Sequence, residues 1–224
     1  MLTIIPENSN EYSIIMYFEN IFTKKELNLL ENWLINNNKL NNQNIGIKRK
    51  QIWFQRDGNY FCKDWINRFP RWESKNYDNV LDKLEIKIQK FINKTIDLNY
   101  PNVQIPKINS CLINKYSDNT DFIKPHRDTH LSFGLYPTII GLSIGATRTL
   151  KLKRVLYKKD NIKLELDKTK QHLNKTIDLK HGSIFILAGS ANKYFSHEIE
   201  KSDLHKKTRY SFTFREYIIN DKQN

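Results

Sequence analysis

Apolar positions along the chain change period partway through. In "TKKELNLLENWLINN" (23–37), Leu27, Leu30, Trp33 and Leu34 recur at helical spacing behind a Thr23-x-x-Glu26 capping box. In "YDNVLDKLEIKIQKFINKT" (77–95), Leu81, Leu84, Ile88 and Phe91 or Ile92 mark a second helix by the same spacing. Between them the Asn-rich "NNNKLNNQNIG" (36–46) reads as a loop, "KRKQIWFQ" (48–55) as a strand, and "RDGN" (56–59) as a turn leading to Tyr60 and Phe61. From about residue 108 onward the pattern becomes a series of short β-runs: "INSCLINKY", "TIIGLSI", "RTLKLKR", "IKLELD", "SIFILAG", "KYFSHEI" and "TRYSFTFREY". Many short strands separated by turns indicate a sandwich, barrel or jelly roll. Because the helices precede the strands, they are expected to back one sheet. The polar, basic segment 157–180 reads as an exposed hairpin or loop insertion. The fold expected is mixed α+β: a double-stranded β-helix (jelly roll) backed by N-terminal helices, with a recognition extension. One domain spans 1–224, with the N-terminal helix and extension over about 1–70 and a helix plus the jelly-roll core over about 71–220.

Composition narrows the class. Hydrophobic residues at 39% make the chain globular, not disordered. No apolar stretch is long enough to cross a bilayer, and "MLTIIPENSNEYS" lacks the layout of a secretory leader. Two cysteines, Cys62 and Cys111, make neither a disulfide framework nor a zinc cluster. The expectation is an intracellular, non-secreted protein, cytoplasmic or nuclear, acting as a monomer and away from membranes. A formal charge of +13, gathered in "IKRK", "KLKRVLYKK" and "HKKTR", makes nucleic acid the first candidate partner, although abundant Lys and Asn also follow from an AT-rich coding genome.

Candidate chemistry begins in "FIKPHRDTHLSFG" (122–134). His126-x-Asp128 places two potential ligands on one strand face, and His197 in "KYFSHEI" completes a set of two histidines and one carboxylate. Such a set leaves coordination positions open on one side and suits non-haem Fe(II) oxygen chemistry. In "TRYSFTFRE", Arg209, Ser211, Thr213 and Arg215 share one face of a strand, and Tyr210, Phe212 and Phe214 the other. Two guanidinium groups turned into a jelly roll need buried anions, which a dicarboxylate would provide; turned outward, the same face is simply solvated.

These motifs, together with "LINKY", "PHRDTH", "TIIGLSIGATRTLKLKR", "LKHGSIFILAG" and "HEIEKSDLHKKTRYSFTFRE", resemble the AlkB-type Fe(II)/2-oxoglutarate dioxygenases, which oxidatively dealkylate nucleic acids. The resemblance runs from about residue 48 to Tyr217 and is closest to the eukaryotic branch that repairs DNA and RNA. It implies Fe(II) held by His126, Asp128 and His197 as the catalytic centre, 2-oxoglutarate as cosubstrate and dioxygen as co-reactant. The implied 2-oxoglutarate contacts are Asn114, Tyr116, Arg209, Ser211, Thr213 and Arg215, with Arg209 on the far carboxylate and Arg215 nearer the metal. Leu112, Leu142 and Ile144 are implied as apolar walls. A flipped base would stack on Tyr60 or Phe61 and meet His130, with Arg49 and Lys50 of the nucleotide-recognition extension on the strand beside it.

Two departures bear on substrate. Related repair enzymes carry an acid where His130 stands, and a neutral imidazole lacks a carboxylate's attraction for a cationic base. The loop 36–46 has no aromatic finger of the kind duplex-acting relatives insert, so single strands are favoured. The competing readings are a basic nucleic-acid-binding module without catalysis, and a related dioxygenase acting on a protein or small molecule.

Overall fold

The computed structural model describes residues 1–36, 49–56, 61, 72–97, 99–157, 164–201 and 207–218. Tyr60, Lys48, Cys62 and the 37–46 part of the Asn-rich loop lie outside the described residues.

The chain opens with an antiparallel hairpin not read from the sequence, β1 (Leu2–Asn8) and β2 (Glu11–Phe18). Helix α1 (Lys24–Asn36) follows, started by the expected box: Thr23 N–H and Oγ1–H both donate to Glu26 Oε2 at 2.8 Å, and Glu26 N–H donates back to Thr23 Oγ1 at 3.3 Å. After β3 (Lys50–Gln55), helix α2 (Asn79–Thr95) is capped by Asp78, whose carboxylate accepts from Val80 and Leu81 N–H at 3.1 and 3.0 Å. The same carboxylate accepts from Trp33 Nε1 at 2.8 Å, which ties the two helices together.

The remaining elements are β4 (Ser110–Tyr116), β5 (Ile123–His126), α3 (His130–Phe133), β6 (Ile139–Gly145), β7 (Arg148–Arg154), a 3-10 turn (Lys168–Leu173), β8 (Lys175–Leu179), β9 (Ile184–Gly189), α4 (Ala191–Tyr194), β10 (Phe195–Ile199) and β11 (Arg209–Arg215). They pack as a seven-stranded sheet, β1-β2-β9-β6-β11-β4-β3, facing a four-stranded sheet, β5-β10-β7-β8. This is the expected mixed α+β jelly roll backed by helices.

Two cores result. Leu30 and Leu34 of α1 and Leu81, Leu84, Ile88 and Ile92 of α2 cover the outer face of the large sheet, against residues such as Ile113, Ile140, Phe212 and Phe214. Between the sheets lie Ile139, Leu150, Leu152, Ile177, Leu179, Phe185, Leu187 and Phe195. On β11 the aromatic face goes to the helices and the Arg/Ser/Thr/Arg face goes between the sheets; Arg209, Ser211, Thr213 and Arg215 are all buried. The solvated alternative for that face is therefore excluded.

Three expectations change. Leu142 and Ile144 belong to the helix-side core; the alternation of β6 turns Ile139 and Ser143 inward instead, and only Leu112 keeps the place of an apolar wall. Segment 157–180 is not simply an exposed insertion, because β8 pairs with β7 and buries Ile177 and Leu179. Within "IKLELD", Leu166 makes only an isolated bridge to Val155. Residues 2–18 are also part of the large sheet, with β2 hydrogen-bonded to β9, so the N-terminal region contributes to the core and does not merely extend from it.

Candidate active site

The two histidines are placed by sheet register. His126 at the end of β5 pairs directly with His197 in β10, so their imidazoles stand side by side with ring centroids 4.2 Å apart. Asp128 lies two residues past the end of β5. Its Oδ1 is 4.0 Å from His126 Nε2 and 3.9 Å from His197 Nε2, and one ligand atom from each residue falls within 4.8 Å of the others. The His126 Nδ1–H donates to Lys124 O at 2.9 Å, which leaves the Nε2 lone pair free for a metal.

Electrostatics keep these groups ready to ligate. Burial, followed by the neighbouring His126, pushes the His197 imidazole down to about 3, and burial lowers His126 as well, so both rings are neutral donors of a lone pair near neutral pH. Burial alone would raise the Asp128 carboxyl. The Arg215 guanidinium, through its charge and its hydrogen bond, outweighs it and holds the group below the usual carboxylate range. Arg215 Nε–H donates to Asp128 Oδ2 at 2.5 Å, so one carboxylate oxygen is occupied and the other faces the histidines.

A cavity continues inward from this cluster. It is lined by Leu112, Asn114, Tyr116, Ile139, Leu150, Phe185, Arg209, Ser211, Thr213 and Arg215, among others. Arg209 is 1% exposed; it donates from Nε to Ser143 Oγ at 2.8 Å and lies 5.0 Å from the Tyr116 ring centroid. Its Nη1 is buried and has no hydrogen-bond partner among the described residues, and the same holds for Asn114 Oδ1. A buried guanidinium nitrogen without an acceptor is costly, and an incoming carboxylate would satisfy it. The residues present therefore fit both groups: a divalent metal at the His/Asp/His cluster and a dicarboxylate reaching from there to Arg209. Ser143 is a contact that sequence reasoning missed; alternation along β6 sets it on the face opposite Leu142 and Ile144, and the packing of the helices makes that face the inner one.

The substrate candidates fare differently. Phe61 packs in an aromatic cluster, 5.0 Å from Trp53, 4.9 Å from Trp72 and 5.5 Å from Phe133 between ring centroids. Arg49 is buried, and donates to Phe122 O at 3.1 Å and to Gln51 Oε1 at 3.0 Å. Lys50 sits on the opposite face of β3, directly across from Lys115 of β4. His130 does not continue the strand. Thr129 caps α3 through Oγ1, which accepts from Leu131 N–H at 3.3 Å, and His130 opens that helix as an exposed residue outside the cavity lining. Period-two alternation would aim His130 at the pocket, but the strand has already ended at His126.

Comparison with known proteins agrees with this geometry. Residues 15–215 match the family model of the 2OG-Fe(II) oxygenase superfamily. The chain is 26% identical over 136 residues to the DNA oxidative demethylase ALKBH2 of Arabidopsis thaliana, covering 55% of this chain and 42% of the relative. It is 33% identical over 107 residues to the alpha-ketoglutarate-dependent dioxygenase alkB homolog 3 of Homo sapiens, covering 48% and 36%. The chain thus spans less than half the length of these curated relatives. Among solved structures, OsALKBH1 superposes with a TM-score of 0.57 at 12% identity, covering 90% of this chain and 97% of that one. A prolyl hydroxylase from Trichoplax adhaerens, solved with a hypoxia inducible factor peptide, superposes at 0.52 and 13% identity, covering 94% and 84%. These two likenesses speak for the fold. The chain belongs to the 2OG-Fe(II) oxygenase superfamily, and its sequence similarities within that family lie with AlkB-type members.

Proposed function

We propose that this protein is an Fe(II)/2-oxoglutarate-dependent oxidative demethylase that removes N-alkyl groups from nucleic-acid bases. The observation that carries the reading is the pairing of two features in one cavity. A three-residue ligand set has its carboxylate pinned by Arg215, and a buried Arg209 on the same wall has an unpartnered nitrogen. The names of the relatives, a DNA oxidative demethylase and an alpha-ketoglutarate-dependent dioxygenase, supply the substrate class and reaction.

In this reading His126, Asp128 and His197 hold Fe(II). Arg209, steered by Ser143 and directly across the ladder from Tyr116, receives the far carboxylate of 2-oxoglutarate together with Tyr116, while Asn114, two residues along β4 toward Arg215, meets the end nearer the metal. Ser211 and Thr213 present hydroxyls along the same wall. Bound there, Fe(II) with 2-oxoglutarate and dioxygen supplies the oxidation that hydroxylates the alkyl carbon on a base nitrogen, leaving succinate, carbon dioxide and an aldehyde. The protein orients the base and excludes water with the apolar wall of Leu112, Ile139, Leu150 and Phe185.

Charge supports a polyanionic substrate. Beyond the formal +13, strand register sets Lys50 opposite Lys115, with no described acid bridging them, and the Lys115 ammonium lies 5.6 Å from the Tyr210 ring centroid. Like charges directly across a ladder are unfavourable unless something anionic lies over them. The test is mass spectrometry of methylated DNA and RNA oligonucleotides after incubation with the protein, Fe(II) and 2-oxoglutarate. Loss of one methylene mass, dependent on both additions, is expected. Succinate production with no change in any oligonucleotide would move the substrate to another class, and binding without succinate would leave a nucleic-acid-binding module.

A further inference from the structure

The two histidines of the metal cluster are fixed by ladder hydrogen bonds, but Asp128 is not. It sits in the turn between the end of β5 at His126 and the start of α3 at His130, where no strand partner holds the backbone. A side chain takes over that role. The Asp128 N–H donates to Asn192 Oδ1 at 2.8 Å, and Asn192 Nδ2 donates to Asp128 O at 3.0 Å. Both backbone groups of the ligand residue are thus satisfied by one amide, and only one orientation of that amide serves both. Asn192 is 5% exposed, so water does not compete for these bonds. The adjacent residues add a third tie, since Arg127 Nη1 donates to Lys193 O at 3.0 Å.

Asn192 lies in α4, which runs without interruption into β10 and so into His197. One continuous segment therefore carries one metal ligand and the clamp on another. We propose that Asn192 is a positioning residue for the metal centre: its amide sets where the Asp128 carboxylate stands relative to His197. This rests on the reading of His126, Asp128 and His197 as the metal ligands. Residues outside the ligand set that orient a ligand commonly change metal affinity by roughly ten- to a hundredfold when removed. A fall in that range is expected here, because losing the amide frees Asp128 and leaves two buried backbone groups unpaired.

The experiment is a Co(II) titration of the purified protein, read by calorimetry and by the visible d–d absorption, so that turnover is not needed. Asn192→Ala should bind Co(II) at least about tenfold more weakly than wild type, with an altered absorption envelope. Asn192→Asp keeps the acceptor for Asp128 N–H and loses only the donor. Its added charge would by itself favour a cation, so weaker binding reports the lost bond, and this variant carries the test if Asn192→Ala does not fold. Ile88→Ala, fully buried on the far side of the large sheet, should lower Tm with Co(II) affinity unchanged. Wild-type affinity in both Asn192 variants overturns the proposal, as does an equal loss in Ile88→Ala, which would mean that any destabilisation loosens the site. If wild type itself binds no Co(II), or binds it equally after His197→Ala, the metal-centre reading fails and takes this one with it.

Discussion

Arg209 offers the sharpest test of the cavity. Its guanidinium is fully enclosed, and burial pushes its pKa below the ordinary arginine value, so the charge is held at a cost while no anion is bound. Partial compensation comes from Ser143 Oγ at 2.8 Å and from the Tyr116 ring, but Nη1 remains without an acceptor among the described residues. In Arg209→Lys, one ammonium must choose between Ser143 and a carboxylate and cannot grip the latter with two parallel bonds. A hydrogen bond to a charged group contributes about 1.5–3 kcal/mol, so losing one predicts a 2-oxoglutarate Kd raised on the order of ten- to a hundredfold. Arg209→Met should abolish specific binding, yet leave the unliganded protein as stable as wild type or more so, because an unpaired buried charge has been replaced by an apolar side chain of similar length. Calorimetry of 2-oxoglutarate binding to the Co(II)-loaded protein measures the first quantity, and thermal unfolding with and without 2-oxoglutarate the second. A wild-type Kd in Arg209→Met would remove Arg209 from the binding site. A large loss of stability without ligand would show that the guanidinium is already well paired and that the reasoning from its orphaned nitrogen is wrong.

Further outcomes follow from the same structure. His126→Ala, Asp128→Ala and His197→Ala should each lose tight metal binding and turnover while retaining the far-UV circular dichroism of wild type; wild-type metal affinity in any one would break the ligand set. Lys115→Glu should stabilise the fold by about 0.2–1 kcal/mol, since it replaces a like-charge cross-strand pair with an opposite-charge one. It should also weaken oligonucleotide binding and flatten its salt slope, whereas unchanged binding would take phosphate away from that face. Glu11 is resisted by desolvation but held down to about 2 by Lys193, Tyr136 and Tyr194, against an ordinary 4.5. A depressed carboxyl contributes stability above its unfolded pKa and loses it as pH falls through the folded one. Between pH 4.5 and about 2, wild type should therefore lose stability more steeply than Glu11→Gln; parallel acid-unfolding curves would refute this.

Local patterns in the chain were sufficient wherever the structure depends on neighbours in sequence. The capping box of Thr23 and Glu26, the apolar stripe of α2 and the two-faced alternation of β11 each express a period that the backbone imposes directly, and all three appear as read. The inward arginines follow from the same alternation together with residue chemistry, whereas Asp128 joins the two histidines from a turn past the end of β5 and not from a shared strand face. What the tertiary structure decided is whatever depends on which element lies next to which. Strand β2 escaped notice because it lies between β1 and β9 and buries Ile14 and Met16 on one face and Ile15 on the other, so its apolar run does not alternate. Leu142 and Ile144 are as apolar as any wall residue, and only the packing of the helices on the large sheet settles which face of β6 they share. Alternation continued past Asp128 points His130 at the pocket, but Thr129 caps a helix there and the strand does not extend that far. Asn192 carries no motif at all: it is 64 residues from Asp128 in sequence, and its amide becomes meaningful only when folding brings α4 beside the turn after β5. Period and residue type are written in the sequence; adjacency across the sandwich exists only once the two sheets have packed.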